Sequence, residues 1–293
     1  MNSIVAENRL LSTTRCRGLR RVLAVAGVFG IVVAWWLSIP ARNDRDWLPD
    51  VAPVPWAEVD GDMVAIHNVC EFRYRGPGDG DFDERWETRT YDLSTLQGCD
   101  MFLSFWGPTA IAHTIGSWDF ADGPPLAISI ETRKERGESS SAVLGFFRQY
   151  ELYCVVADER DVIGVRAAHR GEQVYLYRVR VPPERARTRL LDYIAEMNRM
   201  RDHSRWYNAF SHNCTTAIRR HVNQIGLPMA WNWRILANGY LDQLAYSRGS
   251  IDTSLPFDER RRRSEVPAAA READGADDFS VRLRAGRPGM GPP

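Results

Sequence analysis

The stretch AHTIGSWDFADGPPLAISIETR, residues 112–133, reads as two strands joined by a tight turn. Strand-forming residues fill both halves, and Asp122-Gly123-Pro124-Pro125 supplies the turn chemistry between them. With the turn centred at Asp122, antiparallel pairing sets His113 directly opposite Glu131 on one face. Ser129 and Ala127 share that face, while Leu126, Ile128 and Ile130 point the other way. A slip of one residue would send Glu131 through the sheet, so the pattern commits to one register. The hairpin therefore argues for an antiparallel sheet with an acid beside a strand histidine.

Outward from the hairpin, Met101 to Trp106 is a compact apolar strand ending at Gly107-Pro108, and Met63–Tyr74 and Thr88–Leu93 are rich in strand formers. Leu144 to Val156 reads as a short helix followed by a strand, and VYLYRVRV (174–181) is the clearest strand of all. Asp158-Glu159-Arg160-Asp161 reads as a solvated helix start with local charge pairing. Pro182-Pro183 opens a helix to about Arg201, with Leu190, Leu191, Ile194 and Met197 along one face. A second amphipathic helix begins at Asn213-Cys214, carries Ala217, Ile218, Val222 and Ile225 on one side, and stops at Gly226 and Pro228. The fold class expected is α+β, an antiparallel sheet with packed helices, over residues 63–260.

Both ends of the 293-residue chain differ from this core. Arg9, Arg15, Arg17, Arg20 and Arg21 precede an uncharged run, VLAVAGVFGIVVAWWLSI (22–39), and Pro40. Eighteen helical residues span about 27 Å, close to the hydrocarbon thickness of a bilayer. Trp35 and Trp36 suit the interfacial belt, and the run is long for a signal-peptide core. The reading is one uncleaved N-terminal transmembrane helix at 22–40, with 1–21 cytoplasmic and the remainder outside the cytoplasm. Residues 41–62 read as a tether and 261–293 as a largely disordered tail, except that DDFSVRLRAG (277–286) could dock.

Lys+Arg and Asp+Glu balance at 38 each, so charge makes no case for a nucleic-acid partner. Of the five cysteines, Cys16 falls on the cytoplasmic side, and Cys70 with Cys99 is one pairing the sequence allows. No CxxC or HExxH spacing points to a metal, and no cofactor motif is present.

Cys214 is the candidate nucleophile. A cysteine at a helix start sits against the positive end of the helix dipole, which favours thiolate over thiol. It needs a histidine, and six are available. His212 lies in the same turn, His221 seven residues along the same helix, His203 at the end of the preceding helix and His169 in a polar turn. His67, on an early strand, stays an alternative. His113 is flanked by Ala110, Ala112 and Gly116, which leave room for a helix end, and Glu131 would hold its tautomer.

The order histidine on a strand, acid on the next strand, then Asn-Cys at a later helix start is similar to that of the circularly permuted papain-like enzymes, including NlpC-like peptidases. More closely, the chain resembles the Lnb N-terminal periplasmic domain family, named after a lipoprotein N-acyltransferase. The residues that carry the likeness are NDRDW (43–47), IHNVCEFRYR (66–75), AHT (112–114), the strand with Glu131 and Arg133, YELYCVVADERDVI (150–163), VYLYRV (174–179), YNAFSHNCTT (207–216) and LAYSRGSIDTSLPF (244–257). The resemblance implies a Cys214–His113 dyad with Glu131 as third member. The backbone N–H of Cys214 would serve an oxyanion hole, with Tyr207, Asn208 or Asn213 as second donor. The activity expected is that of a cysteine acyltransferase or hydrolase at the inner membrane, acting on lipid or lipoprotein. A cell-wall amide hydrolase of the NlpC type and a non-catalytic periplasmic scaffold are the alternatives.

Overall fold

A computed structural model describes residues 2–78, 80–138, 147–208 and 232–291, with side chains from Arg20 onward. The chain divides into two units, 1–41 and 42–293. The first is one long helix, α1 (Asn2–Ser38). Residues 20–38 of it have a mean hydropathy of 1.9 and are unburied, so this segment is long and apolar enough to cross a membrane.

The second unit is built on a mostly antiparallel sheet. Its strands are β1 (Trp56–Asp60), β2 (Met63–Cys70), β5 (Trp86–Asp92), β6 (Leu96–Phe105), β7 (His113–Phe120), β8 (Leu126–Arg133), β9 (Glu151–Asp158) and β10 (Gln173–Arg178); β3 (Arg73–Tyr74) and β4 (Phe82–Asp83) form a separate small hairpin. The order is β1-β2-β9-β8-β7-β6-β10, with β5 also on β2. Among the described residues only the β2–β9 contact is parallel, at Cys70 and Ala157. The strands at the centre, β6 to β9, are buried on both faces, so their sequences run apolar without strict alternation.

One face carries α3 (Pro183–Asp202). Ala186, Leu190, Tyr193, Ile194, Met197 and Met200 recur at helical spacing and pack on Trp118, Leu126, Ile128 and Ile130. Trp118 is 1% exposed, and its Nε1 donates to the carbonyl of Ala186 at 3.0 Å. The opposite face carries α2 (Glu159–Val162), α6 (Pro267–Glu272) and α7 (Phe279–Arg284) over Phe102, Ile115 and Ala127.

Three expectations are corrected here. Residues 42–62 are no tether. The Arg133 guanidinium donates to the carbonyls of Val51 (2.9 Å) and Ala52 (2.6 Å) and to Asn43 Oδ1 (2.9 Å), and it lies 4.1 Å over the Trp47 ring. A buried cation needs its donors filled, and this segment fills them. The stretch 261–293 is ordered over its described part. Val266, Ala270, Ala273, Phe279 and Leu283 are buried, and residues 264–266 exchange backbone hydrogen bonds with β10, covering a sheet edge. DDFSVRLRAG does dock, as α7. Third, Glu159 and Asp161 are buried rather than solvated, at 1% and 4% exposure. Their partners are distant in sequence. Arg284 donates to both oxygens of Glu159, and Asp161 accepts from the Phe72 N–H at 2.8 Å.

Cys70, Cys99 and Cys154 are buried free thiols, so the Cys70–Cys99 disulfide does not form.

Candidate active site

His113 opens β7, and the segment before it is fixed from outside. The Ala112 N–H donates to Asn238 Oδ1 at 2.8 Å, and the Gly239 N–H donates to the Ala110 carbonyl at 3.1 Å. At Gly239 an added Cβ would lie 2.0 Å from the Thr109 carbonyl oxygen, so only glycine allows this approach. The β7–β8 ladder pairs Ile115 with Ser129 through Trp118 with Leu126. Continued two residues, that register sets His113 across from Glu131.

The ring and the acid meet. His113 Nε2 lies 2.5 Å from Ser129 Oγ and 3.5 Å from Glu131 Oε1, in a site where the histidine side chain is 15% and the glutamate 24% exposed. Ser129 is thus the nearer partner of Nε2, and Glu131 stands just behind it. Trp106 approaches the other part of the ring edge-on, centroids 6.5 Å apart. Across β6, Ser104 pairs with His113 in the ladder and donates to Glu172 at 2.5 Å.

Glu131 has a second partner. Arg166 donates to its Oε1 at 2.7 Å and, through Nη1, to the Val162 carbonyl at 2.7 Å. Arg166 comes from a π-helical turn, Val165–His169, a local widening that is frequent at functional sites. Burial pushes the Glu131 carboxyl up. Arg166, then the hydrogen bond and charge of His113, more than reverse this and hold it well below the ordinary glutamate value. The Glu131 charge in turn adds to the effect of burial in raising the Asp50 carboxyl. Asp161, close to the same arginine and accepting hydrogen bonds from the Phe72 N–H and from Tyr74, is nonetheless raised by burial to about 7.

Of the other candidates, Tyr207 donates its N–H to the Tyr150 carbonyl at 2.8 Å and packs beside α3, with Asn208 next in the chain. Asn213 and Cys214, and with them His212, His221 and the helix expected there, lie outside the described residues. The alternative histidine, His67, stacks on Trp56 at 3.9 Å, with Nδ1 3.0 Å from Thr88 Oγ1. Cys70, Cys99 and Cys154 are poor nucleophiles, since burial raises all three thiols. Sequence reasoning missed Arg166, which is 35 positions from Glu131 and carried no local signal of its direction.

The described residues on either side of 209–231 are tied into the fold. Residues 205–207 exchange backbone hydrogen bonds with Tyr150 and Leu152 at the start of β9, the strand paired to β8. Beyond it, Asn232 caps a 3₁₀ turn over Trp233–Ile235, and Asn238 reaches Ala112.

Residues 82–239 match the family described as the Lnb N-terminal periplasmic domain, more than half of the chain. The match takes in His113, Ser129, Glu131, Arg166 and Gly239. No curated protein and no solved structure matches the chain. The chain belongs to the Lnb N-terminal periplasmic domain family, and is a periplasmic, membrane-associated protein.

Proposed function

We propose that this chain is a cysteine acyltransferase or hydrolase, anchored in the inner membrane by a single pass of α1, that works through a thioester on lipid or lipoprotein acyl groups. The observation that carries the reading is the His113–Ser129–Glu131–Arg166 cluster, in which a histidine ring has an acid fixed behind one nitrogen. With Nε2 turned to Ser129 and Glu131, a thiol proton arrives on Nδ1. The Cys214 thiolate attacks an ester or amide carbonyl, and the Cys214 backbone N–H steadies the oxyanion. Attack forms the C–S bond, and collapse of the tetrahedral intermediate breaks the C–O or C–N bond as His113 gives its proton to the leaving group. The C–S bond breaks in turn when the acceptor, an amine or water deprotonated by His113, attacks the thioester and takes the acyl group. Glu131 acts as a positioning residue that stabilises the imidazolium, and Arg166 keeps it ionised and in place. The buried state of the other three periplasmic cysteines supports Cys214 as the nucleophile.

Mass spectrometry of the full chain after exposure to phospholipid tests this. A fatty-acyl adduct on Cys214, absent in His113→Ala, is the expected result. An unmodified Cys214 together with cleavage of muropeptides would replace lipid by cell wall as the substrate, and an inert thiol in both assays would end the catalytic reading.

A further inference from the structure

On the face of the sheet that carries α3, a cavity of about 500 Å³ opens between that helix and α4 (Leu241–Ser247). Its size is within the usual range for sites that take small organic ligands. Its walls are Met101, Trp118, Leu241, Leu244 and Ile251, buried or nearly so. Thr114 also lines it, and because side chains alternate along β7, Thr114 points to the face opposite His113. The cavity is therefore separate from the candidate active site.

The rim has one sign of charge. Arg180, Arg185 and Arg248 line the cavity and are exposed, and Arg189 is half-buried. Among the described residues none of the four has a carboxylate partner. Arg89, Arg166, Arg178 and Arg284, by contrast, bind acids directly. Asp100, the one carboxylate on the lining among the described residues, is held by Arg178 and Arg284. Two polar atoms inside are also unmatched. Thr114 Oγ1 and Arg189 Nε are buried and make no hydrogen bond among the described residues, although the Arg189 Nη1 lies 3.9 Å from the Cys99 sulfur. Native interiors seldom leave such groups empty-handed.

A polar uncharged ligand would find few partners on these walls, and a cation would meet four arginines. An apolar interior under an uncompensated cationic rim fits a molecule with an apolar tail and an anionic head. We propose that this cavity binds the acyl chain of an anionic amphiphile, with the rim arginines on its head group. The site needs neither Cys214 nor His113, so it stands or falls apart from the proposed chemistry.

The test uses the full chain in nanodiscs of zwitterionic lipid and a dansyl-labelled undecanoic acid as fluorescent probe. Saturable probe binding is expected, with dodecyl phosphate displacing it at least tenfold more effectively than dodecanol and inorganic phosphate not displacing it at all. Arg185→Gln with Arg248→Gln, both on exposed side chains, should abolish that head-group preference. Leu244→Trp should remove probe binding by filling the cavity, and His113→Ala should leave it unchanged. Equal displacement by dodecyl phosphate and dodecanol would overturn the proposal. So would displacement by phosphate alone, which would make this a plain oxyanion site, or a double arginine variant that binds as the parent does.

Discussion

Both faces of the central sheet bury acids against arginine, as Glu196 does with Arg199 and Arg205 on the α3 face, but the two differ in the arginines left over. On the face of α2, α6 and α7, carboxylates are buried and most have an arginine in direct contact. On the face of α3, arginines ring a cavity with no acid against them among the described residues. Within the first face, burial alone does not decide the protonation state. Glu131 and Glu159 are pushed up by burial, yet Arg166 and Arg284 respectively pull both below the ordinary value. Asp100 goes the other way, to about 6, because its burial outweighs the pull of Arg284 and Arg178, and the like charge of Glu159 adds to the rise. Arginine contact outweighs burial at Glu131 and Glu159, whereas at Asp100 burial outweighs the contacts of both Arg284 and Arg178.

The largest effect expected from breaking this arrangement is at the site. Glu131→Gln keeps the volume and removes the charge behind the His113 ring. Loss of the third member of such a constellation typically costs about 10²- to 10⁴-fold in turnover. Far-UV circular dichroism should show the fold retained while the rate of Cys214 acylation falls by that factor. An unchanged rate would mean that Glu131 is only a structural partner of Arg166.

Next comes Arg284→Met, which leaves Asp100 and Glu159 buried without their shared cation. Removing one partner from a buried ionic cluster costs about 3–5 kcal/mol. Denaturant unfolding should report that loss, and hydrogen exchange should show α7 released from the sheet.

The site itself was partly legible from residues alone. The DGPP turn set the register that brings Glu131 to His113, because a period of two leaves no freedom once the turn is placed. The α3 stripe and the N-terminal apolar run were equally plain. Arg166 was not legible, since a π turn rather than a regular helix directs it to an acid on another strand. The C-terminal stretch misled through composition. Its arginines and alanines suggest disorder, but Arg284 neutralises interior acids and the alanines are small enough to lie flat on the sheet. NDRDW likewise gives no hint that Asn43 and Trp47 serve Arg133. The helix expected at Cys214, on which the proposed chemistry depends, falls outside the described residues.

A smaller effect is expected at Gly239→Ala. The new Cβ would collide with the Thr109 carbonyl, a backbone atom that cannot swing aside, and the Asn238–Ala112 tie would loosen. Overpacking of this kind costs about 1–3 kcal/mol. Thermal unfolding would register it, and Cys214 acylation should fall alongside because His113 is the next residue after Ala112.

Asp161 gives a pH signature. Its folded value of about 7 lies above the ordinary 3.8. Between these values the folded state holds a proton that the unfolded chain has lost, so this group lowers stability as pH rises across the window. The slope it adds is at most about 1.4 kcal/mol per pH unit. Glu131 has the reverse sign, contributing stability above about 4.5 that is lost as pH falls. Asp161→Asn should therefore flatten the wild-type decline between about pH 4 and 7 without touching the acid limb. A variant curve parallel to wild type through that window would mean Asp161 is ionised throughout.

The smallest effect sharpens the contrast most. Arg178 and Arg185 are the same residue type seven positions apart, yet Arg178 binds Asp100 at 2.8 Å and Asp119 at 2.8 Å while Arg185 has no acid beside it among the described residues. If the rim arginines serve a ligand rather than the fold, Arg185→Gln should change stability by no more than about 0.5 kcal/mol, the ordinary range for an exposed position. The substitution keeps a long side chain with amide donors, so packing along the first turn of α3 is little altered. It could even stabilise slightly, by relieving repulsion among like charges at the rim. Arg178→Gln, in contrast, strips a partner from a buried carboxylate and should cost several-fold more. Paired urea titrations of the two variants decide it: comparable losses would show that the α3 face uses its rim arginines as the opposite face does, and the distinction between the two faces would fail.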